Sequence, residues 1–253
     1  MFDNQSIYLI LVIAFAYGIA TGSFVTLVTY RLPRGQEIVF KPSYCPHCNH
    51  VLSLRDLVPL FSWLWQRGKC RYCHGPIHVR YPLIELTMGL AFVLLTYMYG
   101  ANLHTVLLCT LVTELVILIV TDLEHFIIPD SIQIAIFITG IAYSFYLQRP
   151  VLEVLLGIGT GLAIGLALHY GYLYLRKKDA LGWGDVKFMA MIGVWLPVHD
   201  FVTFFLLAGL IGTATGLMFQ TARKGGIFPF APALALSLLI NVLYPDILGR
   251  LAS

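Results

Sequence analysis

The chain has 253 residues, 58% of them hydrophobic and 11% charged, with a net charge of +3 and a mean hydropathy of +0.81. That composition excludes an ordinary soluble domain and defines an integral membrane protein. The net charge says little by itself, whereas its distribution along the chain says more.

Repeated apolar stretches near twenty residues, broken by short loops with Gly, Pro or charges, fit helices crossing a hydrocarbon core about 30 Å thick. Barrel strands would instead alternate over about ten residues. The expected fold is therefore an all-α polytopic bundle of eight spans, near residues 7–30, 83–99, 104–121, 131–147, 151–175, 186–198, 201–221 and 230–248, the sixth being short. The first residues, Met1-Phe2-Asp3-Asn4-Gln5, carry no basic region, and the apolar run after them outlasts a signal peptide. It reads as an uncleaved span.

With the N-terminus outside, eight crossings put residues 31–82, 122–130, 176–187 and 222–229 in the cytoplasm. Fourteen of the sixteen lysines and arginines then fall inside, and only Arg149 and Arg250 outside. This is the positive-inside bias of short loops, and it sets the orientation.

In the first span, Gly18, Ala20, Gly22 and Ser23 form a small-residue face on which another helix can pack. Pro33 and Arg34-Gly35 end that helix. The only long polar stretch, 34–82, holds Cys45-Pro46-His47-Cys48 and Cys70-Arg71-Tyr72-Cys73. Two Cys-x-x-Cys pairs separated by 21 residues approach the spacing of a tetrahedral zinc site. Two disulfides would suit a reducing cytoplasm poorly, and a redox dithiol would not need a second pair. Zinc on Cys45, Cys48, Cys70 and Cys73 is the preferred reading, with a structural role because four thiolates leave no open position for water. His47, His50, His74 and His78 read as solvated loop residues outside the shell. Cys109 reads as a small buried residue.

Within the apolar spans, Glu114 and His169 are costly. Glu114, eight residues before Asp122, is either an accessory proton carrier or a carboxyl hydrogen-bonded between helices. Glu85 and Glu153 sit at segment starts, where the helix dipole and the interface make a carboxylate inexpensive. Asp130, after Pro129, is expected to cap the fourth span. Arg176-Lys177-Lys178 reads as a topology signal in contact with lipid headgroups.

The stretch Leu181-Gly182-Trp183-Gly184-Asp185-Val186-Lys187 stands out as a glycine-flanked acid where an apolar segment meets a basic loop. Glycines there let another backbone approach closely and permit unusual backbone angles. Asp122 closes the apolar run 115–120 and precedes Ile128-Pro129-Asp130, so the two acids share the cytoplasmic face and can meet in space. No dinucleotide-binding glycine fingerprint, nucleophile-elbow serine or His-Glu-x-x-His motif is present. No nucleic-acid partner is expected.

Taken together, the pattern resembles the type IV prepilin peptidases, bacterial leader peptidases that also methylate the new N-terminus of their product. The likeness runs through Gly22-Ser23-Phe24 and Tyr30-Arg31-Leu32-Pro33, both cysteine pairs, Asp56, Pro59 and Ser62-Trp63, and Arg80-Tyr81-Pro82 with Glu85. It continues through Asp122 with Ile128-Pro129-Asp130, then Gly182 to Lys187, and Ile227-Phe228-Pro229-Phe230. The Gly-x-Gly-Asp element gives the mechanism class, an intramembrane aspartyl protease, and the cysteine domain adds the family. One departure is Thr26, where the family usually has asparagine.

The resemblance implies a first transmembrane helix (1–33), a cytoplasmic zinc-binding domain associated with methyl transfer (34–82) and a transmembrane aspartyl peptidase domain (83–253). It implies a multi-pass protein of the bacterial inner membrane, among membrane lipids, with Asp122 and Asp185 catalytic. Substrates would be precursors of type IV pilins or type II secretion pseudopilins, whose basic leader nearby acids such as Glu124 would attract. S-adenosylmethionine would be the methyl donor, with no assigned binding residues. Two close carboxylates cannot readily both ionise, so one would act as base on water and the other, protonated, would stabilise the oxyanion. A proton-coupled transporter should show inverted repeats, and none is found. A docking scaffold would not need the two aspartates on one face.

Overall fold

The computed structural model describes residues 4–176, 182–222 and 229–245. Among them the secondary structure is helical, apart from isolated β-bridges in the cysteine loops. The helices are α1 (Asn4–Arg31), α2 (Phe61–Trp65), α3 (Arg80–Tyr99), α4 (Leu103–His125), α5 (Asp130–Tyr146), α6 (Val151–Arg176), α7 (Trp183–Trp195), α8 (Phe201–Ala222) and α9 (Ala231–Leu243). The chain forms an all-α polytopic membrane protein. Each expected span coincides with a helix, and α1, α3, α4, α6 and α8 are long and apolar enough to cross a membrane. The others are shorter. At about 1.5 Å per residue, the 13 residues of α7 reach only about 20 Å, well short of a hydrocarbon core. The Arg176-Lys177-Lys178 run falls mostly outside the described residues, as do Leu181, Ile227 and Phe228.

The chain divides into two compact units, Met1–Thr113 and Glu114–Ser253, the boundary falling inside α4. In the first unit α1 packs along α3 through glycines. A Cβ on Gly18 would lie 2.7 Å from the Met88 carbonyl oxygen, and one on Gly22 would lie 2.6 Å from Cα of Glu85. Gly89 on α3 reciprocates against Phe15 and Ile19. Between helices in lipid the attraction comes from such close packing, because lipid tails are as apolar as leucine. Ala20, expected on this face, is exposed. α1 ends in a 3-10 turn, Leu32–Arg34, closed by Gly35 at φ +62°, where Pro33 forbids further helix.

In the second unit α6 and α7 meet backbone to backbone. Gly157 and Gly161 of α6 lie against Gly193 and Met189 of α7, and a Cβ on Gly157 would stand 2.6 Å from the Gly193 carbonyl oxygen. A spacing of four puts both glycines on one face of α6. The far end of α7 is held by donors from outside it. Arg149 Nη1 donates to the Val194 carbonyl at 2.9 Å, and Ser144 Oγ donates to the same oxygen. The Trp195 indole donates to the Ile136 carbonyl at 3.1 Å and stacks on Tyr143. α7 is thus fixed at both flank and end, and its N-terminus carries the glycine-flanked acid.

Candidate active site and metal centre

The cysteine loop builds two copies of one small turn. In the first, His50 C=O accepts from Cys45 N–H and Asn49 N–H donates to Cys45 C=O; in the second, Gly75 and His74 do the same around Cys70. The residue after each Cys-x-x-Cys takes the left-handed conformation, Asn49 at φ 57° and His74 at φ 57°. This turn aims backbone N–H groups at sulfur. The Sγ atoms of Cys45, Cys48, Cys70 and Cys73 lie within 4.8 Å of one another, with Cys45 and Cys73 Sγ 3.9 Å apart. A tetrahedral zinc with Zn–S near 2.3 Å needs sulfurs about 3.8 Å apart, so this donor set, all of it free thiols, fits the ion.

Electrostatics agree. Although burial opposes ionisation, N–H groups of Cys73 and Tyr72 with the neighbouring thiols bring Cys70 down to about 7. The Cys73 thiol is pushed up to about 11: an N–H from Gly75 favours its thiolate, but burial and the other three cysteines outweigh that. Four thiolates cannot gather without a cation. His47, His50, His74 and His78 stay outside the sulfur cluster, as the sequence suggests, and the His50 ring lies 3.7 Å from that of Tyr72.

Two networks that sequence reasoning did not foresee hold this loop in place. The Arg31 guanidinium, at the end of α1 and only 3% exposed, donates to the carbonyls of Glu37, Lys41 and Pro42 at 2.8–2.9 Å. Asp56 accepts from Ser53 N–H and Oγ, Gln66 and Tyr72, and pairs with Arg71 at 3.3 Å. Burial opposes the Asp56 charge, but these donors outweigh it and hold the carboxyl below its usual range.

Glu85 departs from expectation. It is 7% exposed and accepts Leu60 N–H at 2.7 Å and a hydrogen bond from Ser23. No helix start neutralises it, since α3 begins five residues earlier at Arg80.

In the second unit the two aspartates come together. Asp122, on the last turns of α4 and 6% exposed, accepts Ala231 N–H at 3.0 Å through Oδ2. Ala231 opens α9, where the first N–H groups lack helical partners and Pro232 has none to offer. Asp185, in the first turn of α7, is close enough to Asp122 for their charges to repel. Its Oδ1 is buried and accepts no hydrogen bond among the described residues.

The glycines act differently from the backbone freedom expected of them. Gly182 has φ −63° and Gly184 lies in the helix, so neither needs a left-handed conformation. A Cβ on Gly184 would meet Ile128 at 3.0 Å, and one on Gly182 would touch Asp185 Oδ2 at 3.4 Å. Gln133 Nε2 donates to the Gly184 carbonyl at 3.1 Å. These contacts set α7 beside the Ile128-Pro129-Asp130 turn.

Asp130 does not cap α5. Pro129 occupies the cap position without a side-chain bond, and Asp130 pairs with Lys187 Nζ at 2.8 Å. That contact commits Lys187 to Asp130. Glu114 is buried, with Oε1 accepting Thr139 Oγ1 at 2.7 Å, and His169 is buried with its ring 4.7 Å from that of Trp183. Glu153 pairs with Arg149 at 3.0 Å. Thr26 spends its hydroxyl on the Ser23 carbonyl of its own helix, at 2.7 Å.

A polytopic helical membrane protein with two buried, neighbouring aspartates in one unit and a four-cysteine cluster that could hold a metal ion in the other has the residues expected of a membrane aspartyl protease with an added cysteine loop. Comparisons with known proteins narrow the class. Residues 16–99 match the bacterial peptidase A24 N-terminal domain and residues 109–217 match the type IV leader peptidase family. A prepilin leader peptidase/N-methyltransferase of Myxococcus xanthus is 36% identical over 217 residues, covering 85% of this chain and 65% of that protein. Proteins of the same description from Aeromonas hydrophila and Dickeya chrysanthemi are 29% and 31% identical, covering 94% and 89% of this chain and 92% and 91% of their own lengths. No solved structure matches. The chain belongs to the type IV leader peptidase family.

Proposed function

We propose that this protein removes the leader from type IV prepilin or pseudopilin precursors and N-methylates the amino terminus so released. The observation that carries the reading is the pairing of Asp122 with Asp185 at the ends of α4 and α7, in a chain whose relatives bear both activities in their names. Asp122 and Asp185 are the catalytic residues. Asp122 and Asp185 each accept one helix-start N–H, from Ala231 and Gly182, and the repulsion between them leaves one as the carboxylate that takes a proton from water. The other aspartate, kept neutral by that repulsion, hydrogen-bonds the developing oxyanion, and the buried Oδ1 of Asp185, which lacks a donor, suits Asp185 to this part.

The four cysteines hold one structural zinc, and S-adenosylmethionine supplies the methyl group. Residues 34–82 then form the metal-binding domain and residues 83–253 the peptidase domain. The protein lies in the bacterial inner membrane with its N-terminus outside and both aspartates at the cytoplasmic face, where fourteen of sixteen basic residues gather. A precursor with a basic leader and an apolar helix places its scissile bond at that level. Incubating the purified protein with a prepilin-type precursor and S-adenosylmethionine, then weighing the product, tests both activities. Product of unchanged mass overturns the peptidase, and leaderless product without a methyl increment overturns the transferase.

A further inference from the structure

The first compact unit contains a cavity of about 430 Å³, within the range of small-molecule sites. Its wall joins Ser23 and Tyr30 of α1, Tyr81 and Glu85 of α3, and Tyr44 and Trp63 of the cysteine loop. Aromatic faces and a buried carboxylate are a combination suited to an organic cation. Arg31 and Asp56 also reach the wall, but both are committed: the guanidinium to carbonyls of 37–42, the carboxylate to Ser53, Tyr72 and Arg71.

Glu85 retains acceptor capacity. A carboxylate offers about four lone-pair sites, and the contacts from Leu60 and Ser23 fill only part of them. Leu60 presents its N–H from φ +64°, a conformation costly for a leucine, so the backbone is strained at the point where it orients this carboxylate.

We propose that this cavity is the methyl-donor site, holding S-adenosylmethionine with its sulfonium and adenine against the aromatic wall, and that Glu85 accepts the proton the amino terminus must lose. This rests on the bifunctional reading above. The Glu85 carboxylate takes a proton from the terminal ammonium, freeing the nitrogen lone pair. The nitrogen attacks the methyl carbon; the N–C bond forms as the C–S bond breaks, and that electron pair stays on sulfur as the neutral thioether. The product is a secondary ammonium, and protonated Glu85 returns its proton to water.

The test uses the full-length, zinc-loaded protein in detergent, a prepilin-type precursor and S-adenosylmethionine. Glu85→Gln should slow methylation at least about a hundredfold, the usual scale for a lost proton acceptor, while leader removal continues. Ser23→Leu, which fills the cavity, should weaken S-adenosylmethionine binding at least tenfold in equilibrium dialysis. Zinc content and leader removal report that each variant is folded; should Ser23→Leu not fold, Glu85→Gln alone decides. Methylation by Glu85→Gln at the wild-type rate overturns the role of Glu85, and undiminished binding by Ser23→Leu overturns the cavity. A wild-type protein that cleaves without methylating overturns the bifunctional reading instead, and dialysis on that protein then decides whether the cavity binds the donor.

Discussion

Asp122 Oδ2 accepts the backbone N–H of Ala231 at 3.0 Å, joining the last turns of α4 to the first turn of α9 across 109 residues of sequence. The bond satisfies a donor that helix geometry leaves orphaned, and Asp185 is held in the same way by the Gly182 N–H at the start of α7. The two acids differ at the second oxygen, since Asp185 Oδ1 is buried without a hydrogen-bond donor among the described residues.

Asp122→Asn and Asp185→Asn should each slow leader removal by at least about a hundredfold, since each removes one half of the proton chemistry. Asparagine at 122 can still accept from Ala231, so that variant should elute from size exclusion as the wild type does. Substantial cleavage by either folded variant, read by product mass, contradicts the assignment.

Glu114→Gln should keep most of the cleavage activity. The amide oxygen can take the Thr139 hydroxyl that Oε1 takes now, so the inter-helix contact survives without a charge. A loss as deep as that of the aspartate variants would place Glu114 in the chemistry.

Gly161→Leu should both destabilise the second unit and reduce cleavage, because a side chain there collides with the backbone of α7 at Met189. Overpacking of this kind costs about 1–3 kcal/mol, and here it also shifts the helix that carries Asp185. The expected result is a lower melting temperature and a lower rate of leader removal, with zinc content unchanged. A variant with wild-type stability and rate would show that the α6–α7 contact does not position the acid.

Metal removal should loosen residues 34–82, since metal-binding free energy is here local folding free energy. Replacing Cys45 and Cys48 by serine, or dialysing against chelator, should eliminate zinc and speed proteolysis of that segment. Acidification should act in the same direction, because protons compete with the ion for thiolates. Asp56 fails later on that path: its carboxyl is held below the usual range, so its contribution is fully present at neutral pH and is lost only as pH falls through that lowered value. Zinc release, followed by metal analysis against pH, should therefore precede any loss of the Asp56 network.

The membrane class, the eight helical segments, the cysteine cluster and the two acids that lie near each other were legible in the chain because each leaves a local signal. Apolar runs near twenty residues, paired Cys-x-x-Cys and a Gly-x-Gly-Asp element depend on neighbours in sequence. What sequence could not supply were partners distant along the chain. Asp130 after Pro129 reads as a cap, yet Lys187, 57 residues away, takes it; Glu85 reads as an interfacial acid, yet Leu60 and Ser23 enclose it. The glycines around Asp185 suggest unusual backbone angles, whereas packing against Ile128 is what Gly184 serves. The backbone donor of Asp122 likewise required α9, because which helix N-terminal N–H reaches a distant carboxylate is decided where helices end in space, and residue types alone do not encode that meeting.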